Sequence, residues 1–240
     1  MDYAIIIYIF LGVLPSLVWL FYYLKKDLHP EPKKMIIRIF LWGAFITLPV
    51  FFVQVGLTSL IGLVKIDTLA KNLIYWFIII SFSEEFFKYL VVRIKVFNSP
   101  NLDEPLDIML YMVISALGFA AIENVLYLVP TIGQISFEKA LVIDLIRSIG
   151  AVFLHTLCSA VIGYSLAISF CEVKWKRTIA LTGIVLATAL HGLYDFSIMT
   201  LEGNIRFIIP AIVVLTLAFI VFVGFEKLKK MKGICKINKN

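Results

Sequence analysis

The stretch LIYWFIIISFSEEFFKYL, residues 73–90, runs from an aromatic and aliphatic segment straight into two adjacent glutamates, Glu84 and Glu85, with Lys88 one turn further on. An apolar run of this kind crosses a bilayer as helix, and a charge placed near its centre costs about 2.5–3.5 kcal/mol or more unless it is paired. The rest of the chain has the same character. Hydrophobic residues fill 61% of 240 positions and charged residues only 16%, and the mean hydropathy is +0.98. These values exclude an ordinary soluble domain. Apolar runs long enough to span roughly 30 Å of hydrocarbon occur at residues 4–24, 36–64, 72–92, 106–129, 140–170, 178–201 and 207–225. The second and fifth are overlong, which requires tilt or shorter helices inside them. Runs of this length cannot be barrel strands, so the expected fold is all-α, a polytopic membrane helical bundle of about seven transmembrane helices.

Basic residues orient the bundle, because positively charged loops stay in the cytoplasm. With the N-terminus outside, Lys25, Lys26, Lys33, Lys34 and Arg38 fall inside, as do Arg93, Lys95, Lys174, Lys176, Arg177 and the lysine-rich end. Only Lys65, Lys71, Lys139 and Arg206 then fall outside. The expectation is N-out/C-in, with one integral-membrane domain over 1–240, the site-bearing helices over 72–201 and a basic cytoplasmic tail over 226–240. The first run has no basic residue before it and no small-residue cleavage site after it, and reads as an uncleaved anchor. The net charge of +6 lies in juxtamembrane loops and the tail, where anionic lipid headgroups account for it, so no nucleic-acid partner is expected. Cys158, Cys171 and Cys235 show no C-x-x-C spacing, and the last two fall on the reducing side. Neither a disulfide nor a thiol metal site is expected.

The polar residues inside the runs carry the chemistry. Glu84 and Lys88 stand in the favourable acid-before-base i,i+4 order, which leaves Glu85 in need of another partner. Glu123 and Asn124 lie side by side in GFAAIENVLY, residues 118–127, with Tyr127 one turn on. The fifth run holds Asp144 and Arg147, read as a structural ion pair, and then His155 near its middle. The sixth holds HGLYD, residues 191–195, so His191 and Asp195 share a helix face. Each feature alone also fits helix–helix glue, a lone mid-membrane histidine more often than not. Counted at 1.5 Å per residue from the span ends, however, Glu84, Glu123, His155 and His191 each lie roughly 20–25 Å deep and reach one band. Buried charge of this density calls for a shared, wet, polar cavity between the third to sixth spans. That inventory suits a hydrolase that activates water on a metal or by a carboxylate alone. A proton-coupled transporter or a membrane scaffold would draw on the same residues.

EEFFK at 84–88, FAAIEN at 119–124, the mid-span His155 and HGLYD at 191–195 resemble, in order, the E-E-x-x-K, F-x-x-x-E-N, H and H-x-x-x-D motifs of the PrsW family of bacterial intramembrane proteases. The family is similar to the CAAX prenyl endopeptidases, whose second motif is F-x-x-x-H; Glu123 at that position favours the PrsW branch. The resemblance implies a multi-pass protease of the bacterial plasma membrane that cuts a single-span membrane-anchored protein, as when an anti-sigma factor is removed. It also implies Glu84, Glu85, Glu123, His155, His191 and Asp195 as catalytic positions, with Lys88, Phe119 and Asn124 supporting. Two mechanisms stay open. In one, Glu123, His155 and His191 hold Zn²⁺ and Glu84 or Glu85 is the base. In the other, a glutamate activates water without a metal.

Overall fold

The computed structural model describes residues 2–26, 29–172 and 174–231. All regular structure among them is helical: α1 (Asp2–Leu24), α2 (Lys33–Gly62), α3 (Thr68–Leu73), α4 (Ser83–Lys95), α5 (Pro105–Leu128), α6 (Phe137–Ile149), α7 (Ala151–Cys171), α8 (Lys176–Thr200) and α9 (Ile205–Lys230). Among the described residues six helical segments are long and apolar enough to cross a membrane. The remaining expected span, 72–92, is formed in three parts. α3 runs without interruption into a π-helical stretch, Ile74–Phe82, and that stretch into α4. The Ser81 hydroxyl bonds the Trp76 carbonyl five residues back, at 2.6 Å. Stretches of π-helix inside α-helices concentrate at functional sites, and this one ends just before Glu84.

The overlong fifth run resolves into two helices that meet at Gly150 (φ −87°, ψ −85°). A Cβ on Gly150 would stand 2.4 Å from the Tyr194 hydroxyl of α8, so a larger residue at the bend would displace that side chain. The overlong second run is one helix of 30 residues. The lysine-rich end begins helically, since α9 continues through Lys230, and residues 232–240 of the expected tail lie outside the described residues. Cys158 is free and buried. Cys171, by contrast, is disulfide-bonded, against the sequence expectation: the redox state of a compartment bears on which bonds survive, not on which thiols the fold brings together. Cys235 lies outside the described residues.

α5 is the axis of the bundle. It is buried continuously from Pro105 to Ala121 and packs mainly against α7, α2 and α1, the position of a helix that is apolar on every face. Its start is fixed by Asp107, whose Oδ2 accepts from the Glu104 and Asp103 backbone N–H groups at 2.7 and 3.0 Å. Against α2 the approach is backbone to backbone. A Cβ on Gly43 would lie 2.1 Å from the Ser115 carbonyl oxygen, and one on Gly118 would lie 2.0 Å from that of Phe40. Small residues permit such closeness, and in lipid packing of this kind drives helix association. The outward faces carry a belt of exposed apolar side chains, such as Phe45, Phe52, Leu145, Ile146, Phe219 and Phe222, which suits a hydrocarbon surround and no aqueous one.

Candidate active site

The expected polar residues converge where α4, α5, α7 and α8 meet, and none of them faces away. Glu85 of α4 is held from three sides. Its Oε1 accepts from Lys88 Nζ at 2.8 Å and lies 3.0 Å from His191 Nδ1, while its Oε2 accepts from the Ser159 hydroxyl at 2.9 Å. Lys88 is thus nearest to Glu85, three residues away, with Glu84 Oε2 at 3.7 Å. The i,i+4 reading of Glu84 with Lys88 and a leftover Glu85 is reversed, because His191 and Ser159 from other helices favour the charge on Glu85.

Glu84 is the less satisfied of the two. Gln54 of α2 donates to its Oε1 at 3.2 Å. Oε2 is buried without a hydrogen-bond partner. Around that oxygen lie His155 Nδ1 at 3.7 Å and His191 Nε2 at 3.9 Å. The two imidazoles meet edge to face with centroids 4.9 Å apart, well inside the distance that one shared site allows.

Each histidine also has its other nitrogen on a carboxylate. His155 Nε2 lies 2.5 Å from Glu123 Oε2, and His191 Nδ1 is the nitrogen that meets Glu85. Lys88 Nζ is 2.8 Å from His155 Nδ1. An ammonium can only donate, so the ring proton of His155 sits on Nε2 and points to Glu123. Asp195 lies 3.3 Å from His191 Nε2, the expected one-turn pair. Phe119 covers the cluster from below Lys88, whose Nζ lies 4.5 Å from the ring centroid.

Arg147 does not pair with Asp144. Its Nε donates to Asn124 Oδ1 at 2.7 Å, its Nη2 lies 3.4 Å from Glu123 Oε1, and its guanidinium stacks 3.8 Å over the Tyr127 ring. Asp144 is buried, with Oδ1 unpartnered. Gln54 and Ser159 were missed at the level of sequence although each leaves a signal there. Gln54 is an amide deep in an apolar run, and Ser159 follows His155 by one turn.

The cluster is closed around the α4 glutamates. Glu84 is 5% and Glu85 0% exposed, and side-chain exposure begins only at Glu123 (21%), Asp195 (22%) and Arg147 (15%). The exposed side chains of the cluster therefore belong to α5, α6 and α8.

Glu84, His155 and His191 form a group that can hold a metal ion, one ligand atom from each lying within 4.8 Å of the others. Glu84 stands here where the sequence reading put Glu123. The reason is geometric: Glu123 meets His155 on the far nitrogen, and ligands drawn from separate helices leave no diagnostic spacing in a sequence. Ligand atoms about 2.0–2.1 Å from zinc sit roughly 3.4 Å apart at tetrahedral angles, so the observed 3.7 and 3.9 Å need close by only a few tenths of an ångström. One carboxylate and two imidazoles are a borderline donor set that zinc accepts. The charges agree. Among the described residues Glu84, Glu85, Glu123 and Asp195 face Lys88 and Arg147, which leaves the cluster two positive charges short with neutral histidines and one short with His191 protonated between Glu85 and Asp195.

Comparison with known proteins then decides the family. The model described as PrsW family intramembrane metalloprotease matches residues 31–224. The chain belongs to the PrsW family. Proteins named Protease PrsW are similar to it: that of Oceanobacillus iheyensis is 30% identical over 85% of this chain and 88% of that relative. That of Geobacillus kaustophilus is 31% identical over 80% and 79%, and that of Bacillus subtilis 28% over 93% and 94%. No solved structure matches the chain. As a PrsW family member the chain is a membrane protease, a multi-pass hydrolase.

Proposed function

We propose that this protease works in the bacterial plasma membrane, N-out/C-in, and cleaves a single-span membrane-anchored protein in the manner of anti-sigma-factor removal. The family resemblance supports the substrate, and the distribution of basic residues supports the orientation. One observation carries the chemistry. The orphaned Glu84 Oε2 faces one nitrogen of each histidine, and each histidine is anchored at its other nitrogen by a carboxylate. That is the arrangement in which metal-ligating histidines are held.

Glu84, His155 and His191 would hold Zn²⁺, which when bound polarises a peptide carbonyl and supplies hydroxide near neutral pH. Glu123 fixes His155 with its proton on Nε2, and Glu85 fixes His191 with its proton on Nδ1, so that Nδ1 of the first and Nε2 of the second turn lone pairs to the same point. Lys88 must release His155 Nδ1 and keep Glu85, an exchange of one hydrogen bond. Asp195, beside His191 Nε2 and at the accessible edge, takes the proton of the attacking water and returns it to the leaving amine. The closed cluster keeps bulk water out until an unwound stretch of substrate enters.

A metal-free variant has one observation in its favour, the Lys88 hydrogen bond to His155 Nδ1; there Glu84 Oε2 itself accepts the water's proton. Metal analysis of the purified protein, with cleavage of a model membrane peptide before and after chelation, separates the two. Bound zinc and activity lost to chelator and regained with zinc support the first. Full activity without any metal overturns it.

A further inference from the structure

Two donors beside Glu123 have no acceptor. Asn124 Nδ2 and Arg147 Nη2 are both buried without a hydrogen-bond partner, and Asn124 is 0% exposed. The Arg147 Nε bond to Asn124 Oδ1 at 2.7 Å ties the two side chains together. Because Arg147 can only donate, it pins the amide with its oxygen toward the guanidinium and its N–H₂ turned away. Arg147 Nη2 comes within 3.4 Å of Glu123 Oε1, close enough for Coulomb attraction but without a hydrogen bond.

An unmade hydrogen bond at a buried donor is unfavourable by about 1–3 kcal/mol, more at a charged one, and native proteins keep few of them. Two such donors joined in one rigid pair, next to the His155–Glu123 contact and buried beneath the partly exposed Arg147 side chain, call for an acceptor from outside the chain. The substrate supplies that chemistry. A transmembrane helix that unwinds locally to expose one peptide bond also frees backbone carbonyl oxygens, which then have neither helix nor water to donate to them. The guanidinium is well suited to this, because several N–H groups in a fixed plane reach two partners at once.

We infer that Arg147 and Asn124 form a subsite that binds backbone carbonyl oxygens of the unwound substrate segment. The inference rests on the proteolytic reading of the cluster. It assigns Arg147, outside the recognised motifs, a direct contact with substrate and so a part in affinity.

The test measures binding apart from cleavage. The background is Glu84→Gln, in which the cluster keeps its shape, and the probe is a fluorescent synthetic single-span peptide with a Gly-Pro pair at its centre, in detergent micelles. Arg147→Met in this background should weaken binding roughly tenfold or more, the worth of one charged hydrogen bond. Arg147→Lys should weaken it several-fold, since it keeps the charge and removes the fork. A second probe set replaces the central amides one at a time by esters, whose carbonyls accept poorly. At least one ester should bind more weakly to the background protein and equally to the Arg147 variants, a coupling that a merely structural arginine does not produce. Melting curves of both variants guard against unfolding, and either folded variant suffices. Parent-like affinity in a folded variant, or an ester penalty that persists without Arg147, overturns the subsite while leaving the protease reading in place. Absence of binding by the background protein itself overturns both.

Discussion

Glu84→Gln and Glu85→Gln remove the same charge from adjacent residues, yet the geometry sets their consequences apart. Glu85 has all its oxygen sites committed, to Lys88, His191 and Ser159, and Lys88 is 0% exposed. Neutralising Glu85 leaves a buried ammonium with a weakened partner, and breaking a buried pair in this way is destabilising by about 3–5 kcal/mol. Glu84 Oε2, 3.7 Å from Lys88 Nζ, takes over part of that pairing, which puts the expected loss near the lower end, about 3 kcal/mol. Glu84→Gln has the opposite profile. Its Oε1 bond from Gln54 survives in a carboxamide, and Oε2 has no hydrogen bond to lose, only a 3.7 Å ion pair with Lys88, which keeps Glu85 at 2.8 Å. Stability should change by no more than about 1 kcal/mol, one ordinary hydrogen bond. Activity should fall by roughly 10²–10⁴, the worth of a positioned acid–base group, or vanish with the metal. Unfolding in detergent, followed beside cleavage of a model membrane peptide, reads both quantities on the same preparations. A stable, inactive Glu85→Gln beside an unstable, active Glu84→Gln would refute the assignment of roles.

Metal content gives a second expectation: alanine at Glu84, His155 or His191 should abolish zinc binding by the purified protein, whereas Glu123→Ala should weaken it only about 10–100-fold, as loss of an orienting carboxylate does; retention of zinc after loss of both histidines sinks the ligand set. Gly118→Ala places a methyl 2.0 Å from the Phe40 carbonyl oxygen, so α2 and α5 must separate and stability should fall by about 1–3 kcal/mol or more. Gly56→Ala, with open space around it, is the matched control, and equal melting of the two variants would contradict the close approach. For the orientation, a membrane-impermeant thiol reagent applied from outside should label a cysteine introduced at Asp67 and not one at Glu226; the reverse pattern inverts the topology.

Much of the fold was legible because the bilayer reduces the problem to length and polarity. The runs at 4–24 and 178–201 match α1 and α8 within two residues at each end. The misses have local causes. Hydropathy does not register the φ/ψ of one residue, so the bend at Gly150, beside the Tyr194 hydroxyl, was hidden inside a run that reads as continuous. The π-helical stretch before Glu84 was hidden for the same reason, since bulky residues in a run carry no mark of i→i+5 bonding. At the site, depth along each helix was readable from the rise per residue, and this is why His155 and His191 were placed together correctly. Rotation about each helix axis was not. Which carboxylate faces His155 Nδ1 and His191 Nε2 depends on that rotation: Glu84 stands there, and Glu123 meets His155 on its other nitrogen. The same loss turned Arg147 toward Asp144 on its own helix, when its partners come from α5.

The closed state of the cluster follows from its charge. Within low-dielectric surroundings, four carboxylates beside two cations are tolerable only if every charge touches an opposite one or a donor, and Lys88 does the most to achieve this by bridging Glu85, Glu84 and His155. Any process that brings further positive charge to Glu84 Oε2, an ion or a proton, relieves Lys88 of one of these tasks. The group that then needs a new partner is His155 Nδ1, which lies 3.7 Å from that same oxygen. In the proposed mechanism, opening of the site and arrival of the activating charge would thus be coupled through Lys88. A fixed positive charge three residues from Glu85 therefore belongs in this site even though it opposes a cation at first sight: it holds the cluster together while the activating charge is absent, and its ammonium lies on the nitrogen that must be handed over.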